Sequence, residues 1–310
     1  MTGPRSFFVA LFLLGTALLP HPVQAQFDLV NFCTIFDQFP NTSGVESALF
    51  ESWDDAATEW NANDRWILSY QNGNPIEFRF QERKQTGAWA DTARALASYN
   101  PADRLTECTF QSVDAGTFTN IVRTSLSYNA EGLLDAEIVE NWDTTAANPT
   151  GTWVNGQRST YTYDGSGNVT QRVDAFWDRG AQAWVNATRI QNTYDASNQL
   201  TTELIEQSDG SGGWINSERT QNTYGPNGLT ETLEEEWDLI FQTWRNDFRT
   251  LFSYPDSDTK VEVDQTWTGM SWENDERQTT QLNANDLPES EIEEQWTGSA
   301  WTNDNRTQNS

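Results

Sequence analysis

The sequence predicts an all-β protein: a repetitive antiparallel up-and-down meander of about eighteen strands, curled into a spiral wrap or a partly closed shell. Three observations carry this expectation. An aromatic, an Arg five residues later and usually a Tyr five after that recur nine times. They are Trp60–Arg65–Tyr70, Trp89–Arg94–Tyr99, Phe118–Arg123–Tyr128, Trp153–Arg158–Tyr163, Trp184–Arg189–Tyr194, Trp214–Arg219–Tyr224, Trp244–Arg249–Tyr254, Trp272–Arg277–Leu282 and Trp301–Arg306. The aromatic anchors step by 29, 29, 35, 31, 30, 30, 28 and 29 residues, a period that marks a repeat architecture. Polar and apolar residues alternate between the anchors, as in half-buried strands. Clusters of Gly, Asn, Asp and Pro punctuate the alternation at regular intervals, as hairpin turns do.

The chain divides into three parts. Met1 to Arg5 is short and positively charged, Ser6 to Leu19 is apolar, and Val23-Gln24-Ala25 offers a small residue before Gln26. Residues 1–25 therefore read as a secretory signal peptide, cut after Ala25. The apolar run falls short of the roughly 20 residues a spanning helix needs, so a membrane anchor is the lesser reading. No later segment is apolar enough to span a bilayer. Residues 26–52 form an N-terminal cap segment outside the repeat, with Phe27, Phe32, Ile35 and Phe36 to cover the first strand edge and a short helix over Val45 to Phe50. Residues 53–310 form the array of about nine repeats, the last incomplete.

Each repeat reads as two strands and two turns. In the outgoing strand, strict alternation puts Trp244, Asn246, Phe248, Thr250, Phe252 and Tyr254 on one face and Arg249 on the other. Phe118, Asn120, Val122, Thr124, Leu126 and Tyr128 share a face in the same way. A turn follows each Tyr, as in Asp164-Gly165-Ser166-Gly167-Asn168 and Asp195-Ala196-Ser197-Asn198-Gln199. The return strand presents Leu134, Ala136, Ile138, Glu140 and Trp142 on an apolar face, with Asp135, Glu137, Val139 and Asn141 opposite. Leu229, Glu231, Leu233, Glu235 and Trp237 repeat this, and Glu140, Glu231 and Glu235 are exceptions to the apolar pattern. The second turn lies between two Trp residues, as in Trp267-Thr268-Gly269-Met270-Ser271-Trp272, which predicts cross-strand aromatic pairs. Open sheets rarely exceed roughly ten strands without curling, and an apolar face has to be buried. That is the reason to expect a coiled meander, with a flat sheet and a closed barrel as alternatives.

Composition excludes several functions. The chain carries 46 Asp and Glu against 18 Lys and Arg, a net charge of −28. Such a surface repels nucleic acid and anionic lipid. The only His is His21, inside the segment expected to be removed, so the mature protein has no imidazole for triads, metal sites or general bases. In an exported chain, Cys33 and Cys108 either form one disulfide or stay as two thiols.

The Tyr–Asp turn followed by Gly-Asn and Val-Thr, seen best in Tyr163-Asp164-Gly165-Ser166-Gly167-Asn168-Val169-Thr170 and next in Tyr194-Asp195-Ala196-Ser197-Asn198-Gln199-Leu200-Thr201, resembles the YD repeats of the rearrangement-hotspot family. The Trp-x-Asn-x-x-Arg run before each Tyr resembles a longer variant found in exported bacterial repeat proteins. The resemblance covers Trp53 to the end and implies a long β-sheet that spirals on secreted and surface proteins. The repeat here is longer than the usual YD unit, and Asp is absent after Tyr99, Tyr128, Tyr224 and Tyr254.

The candidate sites are few. Trp267, Trp272, Trp296 and Trp301 could stack on sugar rings, although recurrence at fixed repeat positions favours packing. Asp164, Asn168, Asp256 and Asp258 are candidate oxygen ligands for Ca²⁺, with turn formation as the simpler role. No carboxylate pair stands out for glycoside hydrolysis. The expectation is a secreted, non-catalytic scaffold in surface structure or adhesion, with a surface polysaccharide or a protein as partner and no resident cofactor. The alternative is a carbohydrate-binding module that uses exposed Trp.

Overall fold

The computed structural model describes residues 47–54, 59–145, 148–285 and 287–308. They form β1 (Ser47–Asp54), β2 (Glu59–Gln71), β3 (Asn74–Arg83), β4 (Trp89–Tyr99), β5 (Leu105–Asp114), β6 (Thr117–Tyr128), β7 (Leu134–Thr145), β8 (Asn148–Tyr163), β9 (Val169–Asp178), β10 (Ala183–Tyr194), β11 (Leu200–Ser208), β12 (Trp214–Gly225), β13 (Gly228–Asp238), β14 (Thr243–Asp256), β15 (Thr259–Trp267), β16 (Trp272–Leu282), β17 (Pro288–Trp296) and β18 (Trp301–Gln308). No helix occurs among the described residues. The fold is all-β, an antiparallel meander that is not closed. The expected signal peptide and most of the cap segment, Cys33 included, lie outside the described residues. The helix expected over Val45 to Phe50 is corrected: Ser47 to Phe50 belong to β1, which pairs with β2 and brings Trp53 opposite Trp60.

Two compact halves divide the chain. The first takes residues up to Ser159 together with Arg179–Gln182, and the second takes Thr160–Asp178 and Ala183 onward. In the first half, each strand from β1 to β7 pairs with the next, and one sheet face carries an apolar core. Trp66, Leu68, Phe78, Phe80, Ala95, Leu105 and Cys108 form its centre, with Tyr70, Ala93, Ala97, Tyr99, Phe110 and Leu126 packed around them. Trp66 meets Phe78 edge-on at 5.0 Å and Phe80 at 5.8 Å. Val139 is buried on this same face, opposite Thr124. That corrects the expected polarity of β7: the side of Val139, not that of Ile138 and Glu140, is the core side.

In the second half, β9 to β18 pair in sequence. Only Ala175, Glu206, Glu235 and Thr280 are buried among its described residues. Two of those four are carboxylates, so the most buried positions of this half are partly polar, where those of the first form a hydrocarbon core. That contrast decides which substitutions matter in each.

The turns after Tyr99, Tyr128, Tyr163 and Tyr194 share one construction. In the Asp164 turn, the Asp164 N–H donates to the Asn168 carbonyl, while Asp164 Oδ1 accepts the Ser166 and Asn168 N–H groups. The Asp195 turn repeats it through Ser197 and Gln199. The fourth residue after Tyr has positive φ in these turns: Asp103 at 56°, Gly132 at 82°, Gly167 at 87° and Asn198 at 61°. Gly, Asn and Asp tolerate that left-handed region best.

Five repeats are tied to the one before them by their Tyr. The hydroxyl donates to the carbonyl near the start of the preceding return strand: Tyr99 to Pro75, Tyr128 to Leu105, Tyr194 to Val169, Tyr224 to Leu200 and Tyr254 to Leu229, at 2.7–3.2 Å. A neutral hydrogen bond of this kind contributes about 1 kcal/mol. Tyr224→Phe is accordingly expected to lower stability by about 1 kcal/mol, read as a shift in the urea midpoint at unchanged slope.

Candidate functional site

The recurring Arg is the most conspicuous chemical group in the chain, and a β-bulge decides where it points. Each outgoing strand from β2 to β6, and from β10 to β18, takes one extra residue between the aromatic and the Arg. The partners jump from Asn186 to Thr188 in β10, Asn216 to Glu218 in β12, Asn246 to Phe248 in β14 and Asn303 to Asn305 in β18. β2, β4, β6 and β16 shift at the same place. An extra residue reverses the side-chain alternation. The Arg therefore lies on the face of its aromatic, and the Tyr lies on the other. This corrects the expectation that Trp and Tyr share a face with Arg opposite. Val122, Thr124, Leu126 and Tyr128 do share one face, but Phe118 stands on the other, under Arg94.

With that parity, seven of the recurring guanidiniums lie over the aromatic of the following repeat. The distances to the ring centroid are 4.8 Å for Arg65 on Trp89, 4.1 Å for Arg94 on Phe118 and 4.8 Å for Arg123 on Trp153. In the second half, they are 4.9 Å for Arg189 on Trp214, 4.5 Å for Arg219 on Trp244, 4.5 Å for Arg249 on Trp272 and 4.8 Å for Arg277 on Trp301. Such contacts are worth about 0.5–1 kcal/mol when exposed and ~2 when desolvated.

The same Arg donates Nε–H to a residue on its own return strand. The acceptors are Gln81, Gln111, Glu140, Glu206, Glu235, Gln265 and Glu294, at 2.5–2.7 Å. The three acidic exceptions of the sequence pattern thus have a reason. Glu140 and Glu235 are acceptors at this position, and Glu231 receives Nη1 of Arg249 at 3.2 Å. Where the acceptor is Gln, its amide reaches on to the residue two after the next aromatic: Gln81 to Asp91, Gln111 to Asn120 and Gln265 to Asn274. This gives Asn120 and Asn274 of the Trp-x-Asn-x-x-Arg run a role. Ala175 stands at the acceptor position of its repeat.

Hydrogen bonds from Arg189, and then from Gln191, hold the Glu206 carboxyl below the usual carboxylate range. Arg277 does the same for Glu294. A carboxylate whose pKa is depressed by folding contributes stability that is present above its unfolded value, about 4.3, and lost as pH falls through the folded value. Glu206→Gln is expected to be less stable than the parent protein at pH 7. The gap should begin to narrow below about pH 4 and close as pH falls through the depressed folded value, as measured by urea unfolding across that range.

The aromatic turn pairs are T-shaped as expected. Ring centroids lie 4.9–5.2 Å apart in Trp142–Trp153, Trp177–Trp184, Trp237–Trp244, Trp267–Trp272 and Trp296–Trp301. The four candidate sugar-stacking residues are therefore two such pairs, all half-buried, with Trp272 and Trp301 also under Arg249 and Arg277. The candidate Ca²⁺ ligands lie in two separate turns. Asp164 and Asn168 are bonded to each other, and Asp256 Oδ1 accepts the Asp258 N–H while Asp258 accepts Ser257 Oγ–H. Among the described residues, no group of three or more His, Cys, Asp or Glu is placed to hold a metal ion. Cys108 is buried in the core, and its proposed disulfide partner lies outside the described residues.

Two features escaped the sequence reading. A recess of about 570 Å³ in the first half is lined by Gln71, Asn74, Ile76, Tyr99, Pro101 and Asp103 among others. Its polar groups serve the turns: Asn74 donates to Asp103, and Asn100 accepts the Ala102 and Arg104 N–H groups. In the second half, Leu239, Ile240 and Phe241 are 67%, 85% and 77% exposed, and Met270 is 93% exposed. Their consecutive placement between two Trp residues was the available signal. Among the described residues, no helix is long and apolar enough to cross a membrane.

No family model matches this chain, and no curated protein matches it. Several solved structures resemble it. A protein of unknown function from Bacteroides fragilis shares 13% identity, over 39% of this chain and 91% of that one, with a TM-score of 0.35. A porin-like protein from Bacteroides uniformis shares 12% identity, over 78% and 92%, with a TM-score of 0.33. The TcdB2-TccC3 structure shares 13% identity, over 78% of this chain and 17% of that one, with a TM-score of 0.26.

Proposed function

We propose that this chain is an exported, non-catalytic β-repeat scaffold of the YD-like type that serves surface structure or adhesion. One observation carries the reading: the groups best suited to chemistry are spent on joining repeat to repeat. Each Arg from Arg65 to Arg277 whose contacts are given above is stacked on a ring and bonded to at least one acceptor. The candidate Ca²⁺ ligands Asp164 and Asp256 accept backbone N–H groups within their own turns. Such residues have little freedom to change partners during a reaction. The Tyr–Asp turns and the leader-like residues 1–25 support the rest, and the reading needs no cofactor.

The test is cell fractionation with protease shaving of intact cells that express the tagged chain. The scaffold is expected outside the cytoplasmic membrane, shortened by about the length of a signal peptide. Full-length protein confined to the cytoplasm would sink the proposal.

A carbohydrate-binding module is the second reading. It is favoured by Trp267 and Trp296, which stand half-exposed at neighbouring turns on one edge. A polysaccharide pull-down lost in the Trp267→Ala, Trp296→Ala double variant, with strand content intact by circular dichroism, would establish it over the first.

A further inference from the structure

The repeats supply their own control for the exposed apolar tip. The β13–β14 turn and the β9–β10 turn are built alike. Asp238 opposes Thr243 as Asp178 opposes Ala183, and Gln242 and Gln182 have φ of 51° and 53°. Leu239-Ile240-Phe241 in the first corresponds to Arg179-Gly180-Ala181 in the second. The backbone therefore does not require large apolar residues there. The β15–β16 and β17–β18 turns make the same comparison. Thr268 and Thr297 both bond across their turns at 3.0 Å, and Gly269 and Gly298 have φ of 92° and 87°. Met270 stands in one where Ser299 stands in the other. The two apolar turns are on the same sheet edge, two strand spacings or about 10 Å apart.

The tip is held out stiffly. Asp238 Oδ1 accepts the N–H groups of Ile240 and Phe241, and the Gln242 N–H returns to the Asp238 carbonyl. Directly behind stand the half-buried pairs Trp237–Trp244 and Trp267–Trp272. Indoles favour the level where hydrocarbon meets water, so a layer of Trp behind a protruding Leu-Ile-Phe fits a membrane interface. A second copy fits poorly. The four side chains offer on the order of 500 Å² of apolar surface, and a stable interface takes about 800 Å² from each partner. Two chains of charge −28 also repel.

We propose that the edge formed by Leu239, Ile240, Phe241 and Met270 inserts into the surface of a zwitterionic lipid layer. The acidic chain disfavours an anionic one. The scaffold would then lie against a membrane by one edge, without spanning it.

The test is sedimentation of the full chain with phosphatidylcholine vesicles, next to a variant that carries the sister-turn residues, Leu239→Arg, Ile240→Gly and Phe241→Ala. The parent chain is expected to bind, and the variant to bind at least ten-fold more weakly with unchanged circular dichroism. Should the triple variant misfold, Ile240→Ser, at the most exposed of the three consecutive positions, is expected to lower binding in the same direction. Added phosphatidylglycerol should weaken binding, and salt should restore it. Equal binding by parent and variants, or none to phosphatidylcholine, overturns the proposal. So does a concentration-dependent dimer, seen by light scattering and abolished by the substitutions in the absence of vesicle binding.

Discussion

Phe78→Ala is expected to destabilise the first half by about 3–5 kcal/mol, the range for removing a large aromatic from a packed core. Phe78 is 1% exposed, and its ring lies 5.0 Å from those of both Trp66 and Phe80. Its loss leaves a cavity that strands pinned on both edges cannot close. The cost should appear in urea unfolding followed by near-ultraviolet circular dichroism, which reports the aromatic cluster. Phe78→Leu keeps much of the volume and should cost clearly less. A cost for Phe78→Ala of under about 1 kcal/mol, the level of a surface substitution, would show that this face is not the core.

Arg219→Ala carries the largest expected effect in the second half, about 2–4 kcal/mol. Removing one partner of a fully buried ion pair costs roughly 3–5 kcal/mol. The expectation is lower here because the Arg219 side chain keeps 27% of its surface in solvent. The substitution removes the stack on Trp244 and leaves Glu235, 8% exposed, with Gln221 as its remaining side-chain donor. Glu235→Gln should be far milder, about 1 kcal/mol or less, because an amide can still accept the Nε–H bond. The chain already uses Gln in this role at Gln81, Gln111 and Gln265. Arg219→Lys should fall between, since a point charge cannot both stack flat and donate from a fixed fork. The asymmetry between the Arg and Glu substitutions, measured by thermal and urea unfolding, is the decisive result. Equal costs would mean that the pair matters only for its charge.

Much of this was legible in the residues. The period, the strands, the Tyr turns and the Trp pairs all follow from local rules that act within a few positions, such as which residues accept positive φ and which alternate. The face of the Arg did not follow, because the bulge between Asn186 and Thr188, and its counterparts, leaves no residue type behind. The extra residues Ala187, Ser217, Asp247 and Asp304 share no single side-chain type. Counting by two from Trp to Arg therefore gives the wrong side, and counting from Leu134 puts Val139 outside the core because the extra residue between Leu134 and Ala136 reverses the parity. A signal was present in the return strands, where Glu or Gln recurs at one position of seven repeats, at Gln81, Gln111, Glu140, Glu206, Glu235, Gln265 and Glu294. A polar residue that keeps its place in an otherwise apolar row announces a fixed partner. The exposed Leu239 to Phe241 tip could be read as apolar, but its exposure depends on a turn geometry that only the coordinates supply.

The bulge also governs how the gene for this chain can change length. The steps between anchors vary by up to seven residues, yet the aromatic-to-Arg spacing is five in all nine copies. A one-residue deletion inside a strand would swing an Arg away from its ring and break the seam to its neighbour. Duplicating or losing a whole copy by recombination would leave every remaining seam intact. Growth by complete cassettes is thus the tolerated route, and single-codon slippage is tolerated only in the hairpin loops.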